Sequence, residues 1–285
     1  MKLEQNHITL QKNIVINYYT MGNRNIGNLC NDFENLHTLV FLHGLTNEAL
    51  TWEPLMPYLN QDNLFCIFVD LPGHGKSTIG KYAYDVDFYS DIVHQFLEAL
   101  HLSKVTLIGH SLGGQTAIYL TLNYSNLIDK IILIAPAGFE TFSFMESMMM
   151  QRAVSFPATL SRYLTLLRPK FRQNNYVPID EILESQELMD VVAKSIKGML
   201  RFPIFSELSE IKQPVLVFFG EKDMAIPNAF LHPNQSTTEI AQHGARQLSN
   251  SQLEIIADAG HFVHIKYPAL VTQKMLDFLE KVTVE

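Results

Sequence analysis

The chain has 285 residues, a formal net charge of −8 at pH 7, and 47% hydrophobic residues. This length and this apolar fraction suffice for one large α/β domain or two small domains with a filled core. The negative charge argues against nonspecific binding to nucleic acid. The two cysteines, Cys30 and Cys66, are too few for a structural zinc site and poorly placed for a disulfide framework. We therefore expect a small-molecule partner and no nucleic acid.

The first residues, up to His7, are polar, and strand-like alternation follows them instead of the continuous apolar core of a signal peptide. No later segment supplies the roughly 20 consecutive apolar residues that a membrane helix needs. We therefore predict a cytoplasmic protein without a membrane span. The sequence leaves its oligomeric state open.

Short apolar runs alternate along the chain with longer helical stretches, a pattern typical of an α/β fold with a mostly parallel central sheet flanked by helices. The helices are predicted at residues 86–100, 112–123 and 268–280, and a polar, asparagine-rich stretch at 23–35 predicts an exposed loop. The predicted strands are, in chain order, residues 7–10, 14–19, 38–42, 64–69, 105–108, 131–134, 215–219 and 253–256.

One long stretch interrupts this rhythm after the sixth predicted strand. Residues 137–205 are rich in helix formers and are punctuated by prolines, and they are far longer than an ordinary connection between two strands. We therefore predict a helical cap, or lid, at 137–205, inserted into a core domain that consists of residues 1–136 and 206–285.

The pentapeptide GHSLG at residues 109–113 stands directly between the predicted strand 105–108 and the predicted helix 112–123. A side chain at either glycine would crowd such a sharp turn, and the turn exposes the hydroxyl of Ser111 at its apex. The pattern alone is common, but a strand before it and a helix after it are typical of a nucleophile elbow. Ser111 is therefore the candidate nucleophile.

A serine hydroxyl is a poor nucleophile near neutral pH, so it needs a base and a carboxylate that orients the base. Asp223 and His261 follow Ser111 in the order acid and then histidine, each a few residues after a predicted strand. Because the carboxyl ends of parallel strands share one edge of the sheet, we expect both side chains beside Ser111.

Each of these assignments has an alternative. Glu221 lies in the same turn as Asp223, and Glu140 follows the preceding predicted strand, so either carboxylate could replace Asp223. His264 lies three residues after His261 and is expected at the pocket edge or in the core.

These residues carry a resemblance: the chain resembles the α/β-hydrolase fold superfamily over nearly its whole length, as a serine esterase-like member with a helical lid. The segment HGL at residues 43–45 is similar to the oxyanion loop of that family, and DLPGHGKS at 70–77 is similar to its D-x-P-G-x-G-x-S turn. The resemblance implies that Leu45 and Leu112 donate backbone N–H groups to the oxyanion.

Two features depart from the family pattern. Lys266 stands where many members have a glutamate behind the histidine loop, and the connection from Asp223 to His261 is long, with the polar residues 232–238 expected to extend a surface loop.

His43, His74 and His110 suggest a metal cluster at first sight, but each belongs to a turn motif and no carboxylate-rich ligand set accompanies them. We therefore expect no metal and no cofactor.

The predicted cap begins with flexible thioethers among aromatic rings, which form an adaptable apolar wall. The alternative is that these side chains pack the lid against the core domain. The candidate substrate-contacting residues are Phe142, Phe144, Met145, Met148 and Met149.

Together these features predict a hydrolase that cleaves a carboxylic ester or thioester with an apolar acyl part through an acyl-enzyme intermediate. Two other functions remain open: hydrolysis of a carbon–carbon bond in a vinylogous diketone, and ligand sensing with slow turnover on the same fold. The acyl chain, the alcohol and the pathway cannot be read from the sequence.

Overall fold

An eight-stranded sheet forms the centre of this computed structural model, which describes residues 2–22, 36–171, 179–228 and 230–280. The predicted loop at 23–35, with Cys30, lies outside these ranges. The strands are β1 (Glu4–Thr9), β2 (Val15–Met21), β3 (His37–Leu42), β4 (Leu64–Val69), β5 (Val105–His110), β6 (Ile128–Ile134), β7 (Val215–Gly220) and β8 (Ser251–Ile256).

The strands lie in the order β1-β2-β4-β3-β5-β6-β7-β8. Strand β2 runs antiparallel to both of its neighbours, and every pairing from β4 to β8 is parallel. The predicted fold class, a mostly parallel sheet flanked by helices, is therefore confirmed. Because β3, β5, β6 and β7 run in one direction, their carboxyl ends meet at one edge of the sheet.

Nine α-helices occur within the described residues. They are α1 (Val86–Ala99), α2 (Leu112–Asn123), α3 (Phe144–Val154), α4 (Pro157–Phe171), α5 (Ile179–Glu184), α6 (Gln186–Arg201), α7 (Thr237–Gln247), α8 (Val263–Lys266) and α9 (Pro268–Glu280). Four of them, α3 to α6, lie between β6 and β7. Among the described helices, none combines the length and the apolarity that a membrane span requires.

Helix α7 corrects one expectation, because the polar stretch 232–238 does not extend as a surface loop throughout. Ser236 caps α7: its side chain accepts a hydrogen bond from the Glu239 N–H, while the Glu239 carboxylate accepts from the Ser236 N–H. This reciprocal capping box is visible in the sequence as Ser-x-x-Glu, and it predicts a helix start that polar composition alone conceals.

The core lies in two layers, one on each face of the sheet. On β3, Val40 and Leu42 point to one layer, and Leu39 and Phe41 point to the other, so both faces are buried. A third and smaller apolar cluster lies within the helices between β6 and β7; it comprises Leu160, Leu164, Ile179, Ile182, Met189, Val192 and Ile196. These helices therefore have apolar packing of their own.

His264 belongs to the buried core rather than to the cavity described below. Its ring stacks 4.5 Å from the Trp52 ring, and neither of its nitrogens has a hydrogen-bond partner within the described part of the chain. Burial, and to a lesser degree the neighbouring His261, lowers the pKa of His264 to about 3. The unfolded chain therefore binds a proton at His264 at a higher pH than the folded protein does.

Because of this difference, the free energy of unfolding should fall as the pH falls from about 6.5 towards about 3. His264→Leu should make this dependence shallower by up to about 1.4 kcal/mol per pH unit within that window. Urea unfolding at several pH values measures it. His7→Leu, which changes an exposed histidine on β1, should keep the wild-type dependence; equal slopes in all three proteins would contradict the expectation.

The start of α2 lies so close to the end of β3 that only glycine fits at residue 113. A Cβ on Gly113 would collide with the Leu42 carbonyl oxygen and would lie 2.6 Å from the His43 carbonyl oxygen, both of which are backbone atoms. A Cβ on Gly260, in contrast, would meet only the Lys222 carbonyl oxygen at 3.7 Å.

Gly113→Ala should therefore lower the free energy of unfolding by about 2 kcal/mol or more, because the backbone must move to relieve the collision. Gly260→Ala is the matched control and should stay within about 0.5 kcal/mol of the wild type. Thermal or urea unfolding distinguishes the two variants. An equally small effect of both would show that α2 does not approach β3 so closely.

Candidate active site

Ser111 occupies a strained turn between β5 and α2. Its backbone has φ 51° and ψ −113°, in the left-handed half of conformational space that side chains disfavour. Two hydrogen bonds hold it there: the Ser111 N–H donates to the Ile134 carbonyl oxygen at 3.0 Å, and the Ser111 carbonyl oxygen accepts from the Ala137 N–H at 3.1 Å. The predicted sharp turn is present, with Ser111 at its apex.

Asp223 and His261 form a hydrogen-bonded pair at the same edge of the sheet. His261 Nδ1 lies 2.8 Å from Asp223 Oδ2, and the Asp223 side chain is fully buried. The other oxygen, Oδ1, accepts from the N–H groups of Ala225 and Ile226 at 2.8 and 3.1 Å. Glu221, the alternative acid of this turn, is exposed to solvent. The geometry therefore pairs His261 with Asp223.

Two further contacts fix the loop that carries His261. His110 Nε2 donates a hydrogen bond to the His261 carbonyl oxygen at 3.1 Å, and burial holds the pKa of His110 well below its ordinary value. Lys266 donates from Nζ to the carbonyl oxygen of Asp258, in the turn before His261. Lys266 thus supports the loop by a cation-to-carbonyl contact, where the resemblance led us to expect a glutamate.

The expected oxyanion donors are Leu45 and Leu112, which lie in two different segments of the chain. Leu112 is the first residue of α2, and the N–H groups of a first helical turn have no acceptor within the helix. Leu45 follows β3 and lines the cavity described below. The loop after β3 is tied to the turn that follows β4, because His43 Nε2 accepts from the Leu71 N–H at 3.0 Å.

The DLPGHGKS turn at 70–77 holds neighbouring segments together through the carboxylate of Asp70. The buried Asp70 carboxylate accepts hydrogen bonds from the N–H groups of Ala49 at 2.6 Å and Lys76 at 2.9 Å, and from Asn17 Nδ2 at 2.8 Å. Asp70 therefore connects β2, the loop after β3 and its own turn. This arrangement fixes the loop that carries Leu45.

A cavity of about 970 Å³ lies between the carboxyl edge of the sheet and the helices α3 to α6. Ser111 and His261 both line it, as does Leu45. Four of the five predicted wall residues also line it, namely Phe142, Phe144, Met148 and Met149; Met145 does not. Met145 is therefore placed outside the predicted wall, although it lies on the same helix.

None of the residues of α3 is buried, so this helix is not a packed core element. Phe144 is 80% exposed, and Met148 and Met149 are 46% and 56% exposed although they line the cavity. Met145, at 59%, has a similar exposure outside the cavity. These side chains therefore remain available to a ligand.

Glu140 lies in the cavity wall, although the sequence pointed to it only as a reserve acid. Its side chain is 6% exposed, and its Oε1 accepts from the Asn228 N–H at 2.8 Å and from His232 Nδ1 at 2.5 Å. Burial raises the pKa of Glu140, the two hydrogen bonds lower it, and the charge of Asp223 raises it. Glu140 therefore accepts its hydrogen bonds from Asn228 and His232, whereas His261 Nδ1 pairs with Asp223.

Asn228 and His232 had no signal in the sequence, because they lie in an irregular connection after β7. His232 joins parts of the chain that are far apart: Nδ1 contacts Glu140, Nε2 lies 3.6 Å from Glu146 of α3, and the ring stacks on Phe142 at 5.4 Å. Only the tertiary structure brings these residues together.

Comparison with known proteins identifies similar sequences and similar folds. A family model described as the α/β hydrolase fold matches residues 37–173. The uncharacterized hydrolase YugF of Bacillus subtilis is 26% identical over 85% of this chain and 90% of its own length. Mouse monoacylglycerol lipase ABHD6 is 26% identical over 86% of this chain and 76% of its own length.

Among solved structures, the esterase EaEST from Exiguobacterium antarcticum superimposes with a TM-score of 0.75 at 19% identity, covering 96% of this chain and 99% of that chain. This likeness concerns the fold. Taken with the matching family model and the related sequences, it shows that the chain has the α/β-hydrolase fold, and the related sequences support hydrolase activity.

Proposed function

We propose that the protein is a cofactor-independent serine hydrolase that cleaves a carboxylic ester or thioester through an acyl-enzyme intermediate. The observation that carries the proposal is the 2.8 Å contact between the buried Asp223 and His261, which lines the same cavity as Ser111. A strained serine turn, a buried acid and a cavity-lining histidine are the parts that acyl transfer requires.

The first step follows from the hydrogen bonds of His261. A carboxylate can only accept, so the neutral imidazole donates from Nδ1 to Asp223 and keeps its lone pair on Nε2. His261 Nε2 takes the hydroxyl proton of Ser111 while Oγ attacks the acyl carbon. Asp223 orients the ring and stabilises the imidazolium that forms.

The backbone N–H groups of Leu45 and Leu112 are assigned to the developing oxyanion. This role is supported by the position of Leu112 at the start of α2, where the helix dipole favours negative charge. Collapse of the tetrahedral intermediate expels the alcohol or thiol, which receives the proton from His261. Water then attacks the acyl-enzyme with His261 as base, and the carboxylic acid and free Ser111 are released.

The helices between β6 and β7 act in this proposal as a cap, within residues 137–205, over a core domain of residues 1–136 and 206–285. Their separate apolar cluster and the cavity beneath them support this division. Phe142, Phe144, Met148 and Met149 then form the apolar wall for the acyl chain. Flexible thioethers suit a chain of variable shape.

A fluorophosphonate should label the folded protein at Ser111, because an activated serine attacks phosphorus as it attacks an acyl carbon. Ser111→Ala should abolish the label and lower kcat for p-nitrophenyl esters by about 10³-fold or more. Asp223→Asn should lower kcat by about 10²- to 10⁴-fold because His261 loses its orientation. Peptide mapping and steady-state kinetics measure these effects.

Glu221→Gln is the matched control, since it removes an exposed carboxylate from the same turn as Asp223, and it should keep near-normal turnover. A label on another residue, or full activity of Asp223→Asn, would reject the assignment. Turnover of a vinylogous diketone without turnover of esters would instead favour carbon–carbon bond hydrolysis. Ligand binding with little turnover of any substrate would favour a sensor.

The apolar wall generates a separate prediction, for which Met145 offers a matched control. Met148→Ala should lower kcat/KM for long-chain esters by about 10-fold relative to acetyl esters, because it removes contacts with the distal acyl carbons. Met145→Ala should leave the chain-length profile unchanged. Since both side chains are largely exposed, neither variant should lose much stability. Identical chain-length profiles, or a melting temperature that falls only in Met148→Ala, would contradict the wall.

A further inference from the structure

The polar residues that line the cavity include a group that the acyl-transfer chemistry leaves unused. We call it the Glu140 subsite and define it by three residues that line the cavity: Glu140, Asn228 and Tyr163. Most of the other lining side chains nearby, such as Phe142 and Ile226, are apolar. Burying a carboxylate in apolar surroundings costs free energy unless hydrogen bonds stabilise it. The donors around Glu140 therefore decide how much of its acceptor capacity is satisfied.

The hydrogen bonds of Glu140 leave part of its acceptor capacity unused. Within the described part of the chain, the two donors that reach it, the Asn228 N–H and His232 Nδ1, both end on Oε1. A carboxylate has about four acceptor sites on two oxygens. The Oε2 atom therefore remains available to a donor that enters the cavity.

The surroundings fix both the position of Glu140 and the place of the subsite in the cavity. His232 holds the carboxylate from the side of α3, where its Nε2 also lies 3.6 Å from Glu146. Tyr163 lines the same cavity, and desolvation first and the Glu140 charge second raise the pKa of its hydroxyl. His261 lines the same cavity as Glu140.

We infer that the Glu140 subsite binds the alcohol portion of the ester and selects alcohols that carry a free hydroxyl group, which donates a hydrogen bond to Glu140 Oε2. This inference rests on the proposed function, because it assigns the two halves of an ester to two parts of the cavity. The part of the apolar wall that lies on α3, namely Phe144, Met148 and Met149, takes the acyl chain, and the Glu140 subsite takes the hydroxylated alcohol.

The charges of the site favour a neutral hydroxyl over the two charged alternatives. Beside Glu140, a carboxylate on the substrate would be repelled by the Glu140 carboxylate, and Arg201, a cation that also lines the cavity, is hydrogen-bonded to Gln151. An ammonium group would lose its hydration in a largely apolar cavity, where the Glu140 charge is already stabilised by two N–H donors. A hydroxyl loses less hydration and gains a hydrogen bond to a charged acceptor.

The test compares two esters with the same medium-length acyl chain, a propyl ester and a 2,3-dihydroxypropyl ester. Glu140→Gln should lower kcat/KM for the dihydroxypropyl ester by about 10-fold relative to the propyl ester, since a hydrogen bond to a charged group is lost. Glu221→Gln removes an equal charge from a solvent-exposed position and should leave this ratio unchanged.

Glu140→Asp keeps the charge but withdraws the carboxylate by one methylene group, and it should lower the ratio by an intermediate factor. If Glu140→Gln does not fold, Glu140→Asp provides the test instead. An unchanged ratio in a folded Glu140 variant would overturn the inference. So would a 2-aminoethyl ester that loses more kcat/KM than the dihydroxypropyl ester on Glu140→Gln.

Calorimetric binding to the Ser111→Ala protein separates this inference from the proposed function. In that background, Glu140→Gln should weaken binding of the dihydroxypropyl ester about 10-fold and leave binding of the propyl ester unchanged. This result would support the subsite even if the wild type hydrolysed neither ester. Turnover of both esters with no selective loss of binding would retain the hydrolase and reject the subsite.

Discussion

The close approach of helix α2 to the ends of β3 and β5 is the constraint on which the rest of the site depends. Gly109 and Gly113 allow this approach, because a Cβ on either would collide with backbone. The approach turns the chain so sharply that Ser111 takes a positive φ, and hydrogen bonds to Ile134 and Ala137 hold it there. The strain is offset by packing on both sides of the sheet, so the serine cannot relax without unpacking α2.

Backbone N–H groups stabilise the buried carboxylates around this turn. Asp70 accepts from Ala49 and Lys76, Asp223 accepts from Ala225 and Ile226, and Glu140 accepts from Asn228; all three are buried side chains. Such bonds offset the loss of hydration and also fix the carboxylates rigidly. A rigid acid is useful beside a histidine, whose ring must keep one orientation through the reaction.

The helices between β6 and β7 combine two kinds of apolar surface. One is the small cluster around Leu164 and Ile196, which is buried and holds these helices together. The other is α3, whose phenylalanine and methionine side chains remain exposed at the cavity. Exposed apolar side chains contribute little to folding, so their presence at the cavity favours contact with a ligand. The carboxylate of Glu140 adds a charged polar group to the lining of the same cavity.

The sequence by itself determined the strands, the glycine-bounded turn at Ser111 and the order of the acid and the histidine, because these depend on local periodicity and on the steric demands of a turn. It also contained the capping box of α7, which polar composition concealed. Only the tertiary structure showed that His261 contacts Asp223 while Glu221 is exposed, placed Met145 outside the cavity lining, and brought Glu140, Asn228 and His232 together. These outcomes depend on which side chains of distant segments meet, and no local pattern records that.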